Sequence, residues 1–226
     1  MGYAGCAMSP QRTTILAYRR AEPCSSPATR VEYGARTESE NSNCMSYTIH
    51  CTKKLLDRVK PPVRQTSAKT TTYLGNWYAT ALFWKPQVAL LVNERTLLPV
   101  LMPLAPANEL ALRFPEHLSS VLLAQGAPYG LIEHELAAMQ NCQYDKTANR
   151  SLVGMLNQFS YLAEGYRYYQ TTDLRLLSLK LSETPCSPLY KSSISPDREL
   201  RKLIETEWVK SAANDQRHVS PLGDTD

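Results

Sequence analysis

Four short segments in the first half of the chain have the apolar pattern of β-strands. In residues 47–52 the odd-numbered side chains are apolar and the even-numbered ones are polar, which predicts a half-buried strand. The segments 77–84, 88–93 and 97–102 are largely apolar, and only three residues separate each from the next. Because connections this short join antiparallel neighbours, the pattern predicts a small antiparallel sheet. Pro99 cannot donate a hydrogen bond within a sheet, so we expect the last strand at an edge.

The second half of the chain is dominated by apolar residues at helical spacing. A first short helix is predicted at 53–59, and Pro115 and Gly126 suit the first position and the end of a longer one. Further helical faces are formed by Ile132, Leu136 and Met139, by Leu152, Met155, Leu156, Phe159, Leu162 and Tyr166, by Leu174, Leu177 and Leu181, and by Leu200, Leu203, Ile204 and Trp208. Residues 142–146 allow one more short strand. Strands followed by helices predict an α+β fold, in which a small antiparallel sheet from the first half packs against several helices from the second half.

Patterned sequence begins at Met45 and ends near residue 210. Residues 1–44 are rich in Ser, Thr, Arg, Glu and Ala and have no sustained periodicity, which is typical of a disordered segment. We therefore predict a disordered extension at 1–44, a single α+β domain at 45–210 and a disordered tail at 211–226. Two explanations of the extension stay open: Met45 is the true or an alternative start, or residues 1–44 are a genuine disordered tail.

Composition and charge are those of an ordinary globular protein. The chain has 226 residues, of which 43% are hydrophobic and 20% charged, with a formal net charge of +4. This mild positive charge suits a solvated cytoplasmic protein as well as a weak binder of anions. The longest apolar stretch, residues 97–107, contains three prolines and is far shorter than the roughly twenty residues of a membrane span. We expect a cytoplasmic location and no membrane partner.

Recognisable catalytic and metal-binding motifs are absent from the sequence. The six cysteines include no CxxC pair, and no histidine stands at metal-ligand spacing from them, so we expect reduced thiols. The stretch EHELA at 133–137 begins like the zinc-protease motif HExxH, but position 138, where the motif has its second histidine, is alanine. We interpret this stretch as a solvated helix face and expect neither a metal nor a cofactor.

Three polar clusters have both a structural and a functional interpretation, and the structural one is favoured for each. Residues 52–54 (Thr-Lys-Lys) begin a helix, where free backbone N–H groups and two lysines attract anions, although a solvated first turn also explains them. Trp77, after Asn76, would stack on a base or sugar if it were not core. Residues 93–96 suit a hairpin turn with a local pair between Glu94 and Arg95, worth about 1 kcal/mol or less if exposed.

The stretch KTANRS, directly before the best-patterned helix, is the strongest candidate for a binding site. Asn149 or Ser151 suits the cap position of that helix, which explains the stretch without function. Alternatively, Lys146, Asn149 and Arg150 bind an anion beside the free N–H groups of the first turn. Cations oppose the helix dipole at that end unless an anion compensates them, so both interpretations stay open. Asn157, two turns on, lies roughly on the same face and would extend the site.

Six segments of the chain form a string that is specific in combination. They are HCTKKLLDR, LGNWYAT, VNERTLLPV, IEHELAAM, KTANRSLVGMLNQF and LSETPCSPLY. Taken in order, they resemble a family of uncharacterised bacterial domains of unknown function, over about residues 47–190. The resemblance implies no activity, cofactor or catalytic residue. Since members of the family typically begin near the strand equivalent to 47–52, it favours Met45 as a start.

Three functions remain as hypotheses. The first is a binding module for an anionic ligand, a nucleic acid or a nucleotide, which requires that the 52–54 junction and KTANRS meet on one face. Its candidate residues are Lys53, Lys54, Lys146, Asn149, Arg150 and Asn157. The second is a hydrolase or nuclease-like enzyme whose site is assembled in space, with Glu94 and His50 as acid–base candidates. The third is a protein-interaction or toxin–antitoxin-type partner with an exposed apolar patch around Trp84 or Trp208.

Overall fold

A single mixed sheet forms the centre of the fold. In a computed structural model, residues 45–61, 70–169 and 171–210 are described, and they contain five strands. These are β1 Ser46–Cys51, β2 Trp77–Leu82, β3 Val88–Asn93, β4 Pro99–Pro103 and β5 Asn141–Lys146. They lie in the order β4-β3-β2-β1-β5.

The pairing corrects the prediction of an antiparallel sheet. The closely connected strands β2, β3 and β4 are antiparallel, as predicted, and β4 with Pro99 is an edge strand. However, β1 is parallel to both β2 and β5. The connection between β1 and β2 is long and contains a helix, so it can return the chain to the starting edge, which a parallel pair needs. The α+β class itself is confirmed.

Six α-helices in the described residues cover both faces of the sheet. They are α1 Lys53–Val59, α2 Leu110–Ala124, α3 Tyr129–Ala138, α4 Arg150–Tyr169, α5 Leu174–Ser182 and α6 Pro196–Leu203. Residues of α1, α2, α3 and α6 pack with one face of the sheet, which we call the first face. Residues of α4 and α5 pack with the other, the second face. The helices therefore form two layers with the sheet between them.

The second face is apolar over only part of its width. The strand residues of its apolar cluster come from β2, β3 and β4, because α4 packs on β2 and β3 and α5 packs on β4. The side chains of β1 that point the same way are Ser46, Thr48 and His50, and none of them belongs to an apolar cluster. Ser46 is buried, whereas Thr48 and His50 are half-buried. The part of this face over β1 and β5 is thus polar, as the alternation in residues 47–52 indicates.

Pro115 does not begin a helix, contrary to the prediction. It lies inside α2, which starts at Leu110 after a short 3-10 turn. A proline inside a helix leaves the carbonyl group four residues earlier without its usual donor. Here that carbonyl, of Ala111, accepts a hydrogen bond from the hydroxyl of Tyr47 at 3.2 Å. Gly126, in contrast, takes the predicted positive φ, +78°, just beyond the helix end.

Several predictions concern parts of the chain outside the described residues. The disordered segments predicted at 1–44 and 211–226 lie there. Within the described residues, no helix has the length and apolar character that crossing a membrane requires. The three cysteines described, Cys51, Cys142 and Cys186, are free thiols.

Candidate functional site

The carboxyl ends of β1 and β5 form a crevice that no local pattern reveals. These strands are adjacent and parallel, with Cys51 opposite Lys146. The chain leaves β1 into α1 on the first face, but it leaves β5 towards α4 on the second face. In open sheets, ligands bind outside the carboxyl ends of strands at such switch points. We call this place the β1–β5 crevice; its rim consists of residues 52–54 and 146–150.

The two cationic segments singled out in the sequence meet at this edge. Lys53 and Lys54 are the first two residues of α1, and Lys146 is the last residue of β5. All three side chains are exposed. The backbone N–H of Thr147 donates to the carbonyl of Cys51 at 3.3 Å, so the strands remain paired up to the rim. The two segments therefore meet at one edge of the sheet, although the anion-binding hypothesis required them to meet on one face.

Asn149 has a structural role at the start of α4. Its side-chain oxygen accepts hydrogen bonds from the backbone N–H groups of Ser151 (3.0 Å) and Leu152 (3.4 Å). These bonds cap the helix, as one of the two interpretations predicts. Arg150 follows as the first helical residue, and Asn157 lies two turns on; both are exposed. No acidic residue occupies the first turn of α4, so no local side chain compensates its partial positive charge.

Three side chains form a row across the second face beside the crevice. The register places Tyr78 of β2, His50 of β1 and Asp145 of β5 side by side. The imidazole of His50 stacks on the ring of Tyr78, with 4.7 Å between centroids. On its other side, Nδ1 of His50 lies 3.9 Å from a carboxylate oxygen of Asp145. This Nδ1 is shielded from solvent and has no hydrogen-bond partner.

Tyr78 connects this row to the start of α4. Burial raises the pKa of its hydroxyl, and the negative charges of Glu94 and Asp145 add to that effect. A hydrogen bond from the backbone of Asn149 acts in the opposite direction. The acid–base hypothesis paired His50 with Glu94, and both do lie near Tyr78. The carboxylate within 4 Å of His50, however, belongs to Asp145.

Asp145 was missed because its position depends on a non-local strand pairing. The sequence of β5 shows only a weak alternation, and nothing within it indicates that β1 is its neighbour. Once the parallel register is known, His50 and Asp145 are directly opposite each other.

Two hydroxyl groups extend the row toward the rim, since Thr52 donates to the hydroxyl oxygen of Thr80 at 3.0 Å.

The turn at residues 93–96 is structural, but its predicted ion pair is wrong. Arg95 pairs with Glu207, in the helical turn Ile204–Trp208 that follows α6, at 2.8 Å rather than with Glu94. The turn is held instead by Asn93, which is fully buried. Its side-chain oxygen accepts from the backbone N–H groups of Arg95 and Thr96, and its amide group donates to Leu74.

The interpretation of EHELA as a solvated helix face is wrong for its central residue. Glu135 is fully buried and accepts hydrogen bonds from the backbone N–H groups of Tyr73 (2.7 Å) and Leu74 (3.2 Å). Burial raises its pKa to about 7 despite these bonds. Its role is to fix the loop before β2. Across the described ranges, no three His, Cys, Asp or Glu side chains are grouped to hold a metal ion.

The three tryptophans differ in burial. Trp77 is fully buried and meets the ring of Phe114 edge-on at 4.9 Å, which confirms its core interpretation. Trp84 and Trp208, around which an exposed patch was expected, are both half-buried. Arg167 stacks over Trp84 at 4.8 Å.

Comparison with known proteins gives one match. The family model described as a domain of unknown function, DUF6933, matches residues 48–199. No curated protein and no solved structure matches the chain.

Proposed function

Since the chain belongs to the DUF6933 family, a domain of unknown function, its own geometry has to indicate its role: we propose that it binds a nucleic acid or a nucleotide through phosphate groups at the β1–β5 crevice. The proposal includes a bacterial source, which the family resemblance implies, and a cytoplasmic location, which was expected from the sequence. The observation that carries it is the meeting of residues 52–54 and 146–150, which are far apart in sequence, at the carboxyl edge of two parallel strands.

The cations of the rim lie on both sides of the sheet edge. Lys53 and Lys54 begin α1, which packs on the first face. Lys146 follows Cys142 and Tyr144 in the alternation of β5, and these two pack with the first face as well. Arg150, in contrast, begins α4 on the second face. A ligand that uses all four must cross the edge, so this distribution favours a chain of several phosphates over a single phosphate group.

The start of α4 supports the same proposal. Cations in the first turn of a helix are unfavourable unless a negative charge compensates them. Arg150 stands in that position with no acid in the turn. A bound phosphate would supply the missing charge, and the guanidinium of Arg150 offers the two-pronged hydrogen bonding that phosphates accept. The negative charge of Asp145, next to the rim, opposes the binding of an anion and therefore limits the expected affinity.

Binding of labelled single-stranded RNA, single-stranded DNA, duplex DNA and a nucleotide panel to the full chain, across a salt series, tests the proposal. We expect salt-dependent binding that weakens when Lys146 and Arg150 are both changed to alanine. Each lost phosphate contact reduces the slope of log affinity against log salt by about 0.7 on single strands and about 0.9 on duplex DNA. The double variant should therefore lose about 1.4 to 1.8 from that slope.

A matched control separates site charge from total charge. Arg175 and Lys180 of α5 are exposed, and their double alanine variant removes the same net charge at the other end of the sheet. It should bind as the wild-type protein does. Equal loss in both double variants would reduce the effect to general electrostatic attraction, and no binding by the wild type would overturn the proposal.

A further inference from the structure

We propose that the row of Tyr78, His50 and Asp145 is an acid–base site that cleaves single-stranded RNA held in the β1–β5 crevice, with His50 as the general base. This inference rests on the proposed function, because it needs phosphates bound at the rim. It adds a reaction, a substrate class and a role for each member of the row.

The environment of His50 is unusual for a structural histidine. Buried polar atoms almost always have hydrogen-bond partners, and an exception calls for an explanation. The Nδ1 atom of His50 has none, although a carboxylate oxygen of Asp145 faces it at 3.9 Å. The His50 side chain is still 17% exposed, and since Nδ1 is shielded, this exposure belongs to the other atoms of the side chain.

This arrangement suits proton transfer at the other ring nitrogen. A carboxylate beside Nδ1 favours the tautomer with its proton there, which leaves Nε2 free to accept a proton. When Nε2 does so, the carboxylate of Asp145 stabilises the positive charge of the ring. Contacts of this kind are often long without substrate and shorten in the loaded complex, so 3.9 Å is compatible with the role.

Tyr78 holds the imidazole in place from the opposite side. Tyr78 is only 4% exposed as a residue, and its ring is stacked on His50 with 4.7 Å between centroids. A general base has to keep its orientation toward the substrate, and stacking against a buried ring restricts rotation. Tyr78 is also near the backbone of Asn149, directly before Arg150.

RNA is the substrate class that these groups fit, since it brings its own nucleophile. His50 Nε2 takes the proton of a ribose 2′-hydroxyl, and the 2′-oxygen forms a bond to the adjacent phosphorus. The bond from phosphorus to the 5′-oxygen breaks, its electron pair stays on that oxygen, and solvent water protonates it. The hydroxide so formed takes the proton back from His50. Arg150 stabilises the extra negative charge on the phosphate during the step.

Single-stranded RNA and DNA of one sequence, each mixed with the full chain in buffer that contains a chelator, provide the test. The chelator silences contaminating metal-dependent nucleases. We expect both strands to bind and only the RNA to be cut, since DNA has no 2′-hydroxyl. Mass spectrometry should find fragments that end in a 2′,3′-cyclic phosphate.

Two variants assign the roles. His50→Gln should lower the cleavage rate by about 100-fold or more, as expected for loss of a general base, without changing RNA affinity. Asp145→Asn changes an exposed residue that positions the base, so it should lower kcat by about tenfold, and KM should not rise, because the change removes a negative charge that opposes RNA. His134→Gln alters an exposed histidine of α3, on the first face, and should cut as fast as the wild type.

The outcomes separate this inference from the binding proposal. RNA that binds to the wild type without being cut overturns the inference and leaves the binding proposal standing. Absence of binding to both strands overturns both. Cleavage by His50→Gln at the wild-type rate also overturns the inference, because the activity then lies elsewhere. If His50→Gln does not fold, Asp145→Asn tests the inference instead. An unchanged kcat in that variant overturns the assignment of His50 and Asp145 as the acid–base pair.

Discussion

The hydroxyl group of Tyr47 donates to the backbone carbonyl of Ala111, the group that Pro115 leaves without a partner inside α2. A side chain of β1 therefore supplies the hydrogen-bond donor that α2 lacks at this position. We expect Tyr47→Phe to lower the free energy of unfolding by about 1 kcal/mol, since it removes the donor of a part-buried carbonyl. In a Pro115→Ala background, the backbone N–H of residue 115 can donate to the Ala111 carbonyl. Tyr47→Phe should then lower the free energy of unfolding by less. Urea denaturation of the four proteins measures this; equal costs in both backgrounds would contradict the pairing.

The buried carboxyl group of Glu135 should make stability depend on pH. Its pKa in the folded protein, about 7, lies above its ordinary value of 4.5. Between these values the folded state binds more protons than the unfolded state, so the free energy of unfolding falls as pH rises. The fall is at most about 1.4 kcal/mol per pH unit, and it ends above the folded pKa.

Denaturation at several pH values, with Glu135→Gln beside the wild type, checks this expectation. The variant has no titrating group at the position and should show a flatter profile in that window. Glu133→Gln, an exposed change in the same helix, should keep the wild-type profile. A wild-type profile that rises with pH there would mean that the hydrogen bonds from Tyr73 and Leu74 outweigh burial.

Two neighbours in the turn after β3 should differ sharply in their effect on stability. Asn93 is fully buried, and its side chain satisfies backbone groups of the turn and of Leu74 in the loop before β2. Asn93→Ala should cost about 3 kcal/mol, because it leaves several of these groups without partners. Arg95→Ala breaks an ion pair with Glu207 whose side chains are 39% and 47% exposed, and it should cost about 1 kcal/mol or less. Thermal and urea unfolding of both variants compares them.

Asn149 allows the structural and binding roles of KTANRS to be separated. Asn149→Ala should destabilise the protein by about 1 kcal/mol through loss of the helix cap. Asn149→Asp keeps the cap and adds a negative charge, so it should preserve stability and weaken nucleic-acid binding. Asn149→Ser keeps the cap without the charge and serves as the control. Unchanged binding by the aspartate variant would place the phosphates away from the start of α4.

The parts of the fold that were predicted correctly depend on local patterns. The bounds predicted for β3 and α1, 88–93 and 53–59, agree with the structure, because each segment carries its full pattern and clear stops. The parallel pairing of β1 depends on contacts between distant segments, and no local signal encodes it. Glu135 shows the same limit, since its partners lie about sixty residues earlier in the chain.

The candidate site also has residues that local patterns identified and residues that depend on strand pairing. Basic residues at the starts of α1 and α4 were identifiable from composition and cap signals. His50 was identified as a possible acid–base group, but its partner was assigned to Glu94, because register was unknown. A polar alternation in β5 that ends in Asp145 and Lys146 was the available signal. This alternation identifies Asp145 as the partner of His50 only when β5 is known to pair with β1.

The strand that supplies Asp145 and the rim lysine has one strand neighbour in the described sheet, since β5 stands at the end of the order. Edge elements open locally at lower free energy than the strands between them. Warming should therefore separate β5 from His50 while the two apolar clusters remain intact. Amide hydrogen exchange would show this as faster exchange in 141–146 than in 88–93. The site would then have its own melting transition, below that of the domain that carries it.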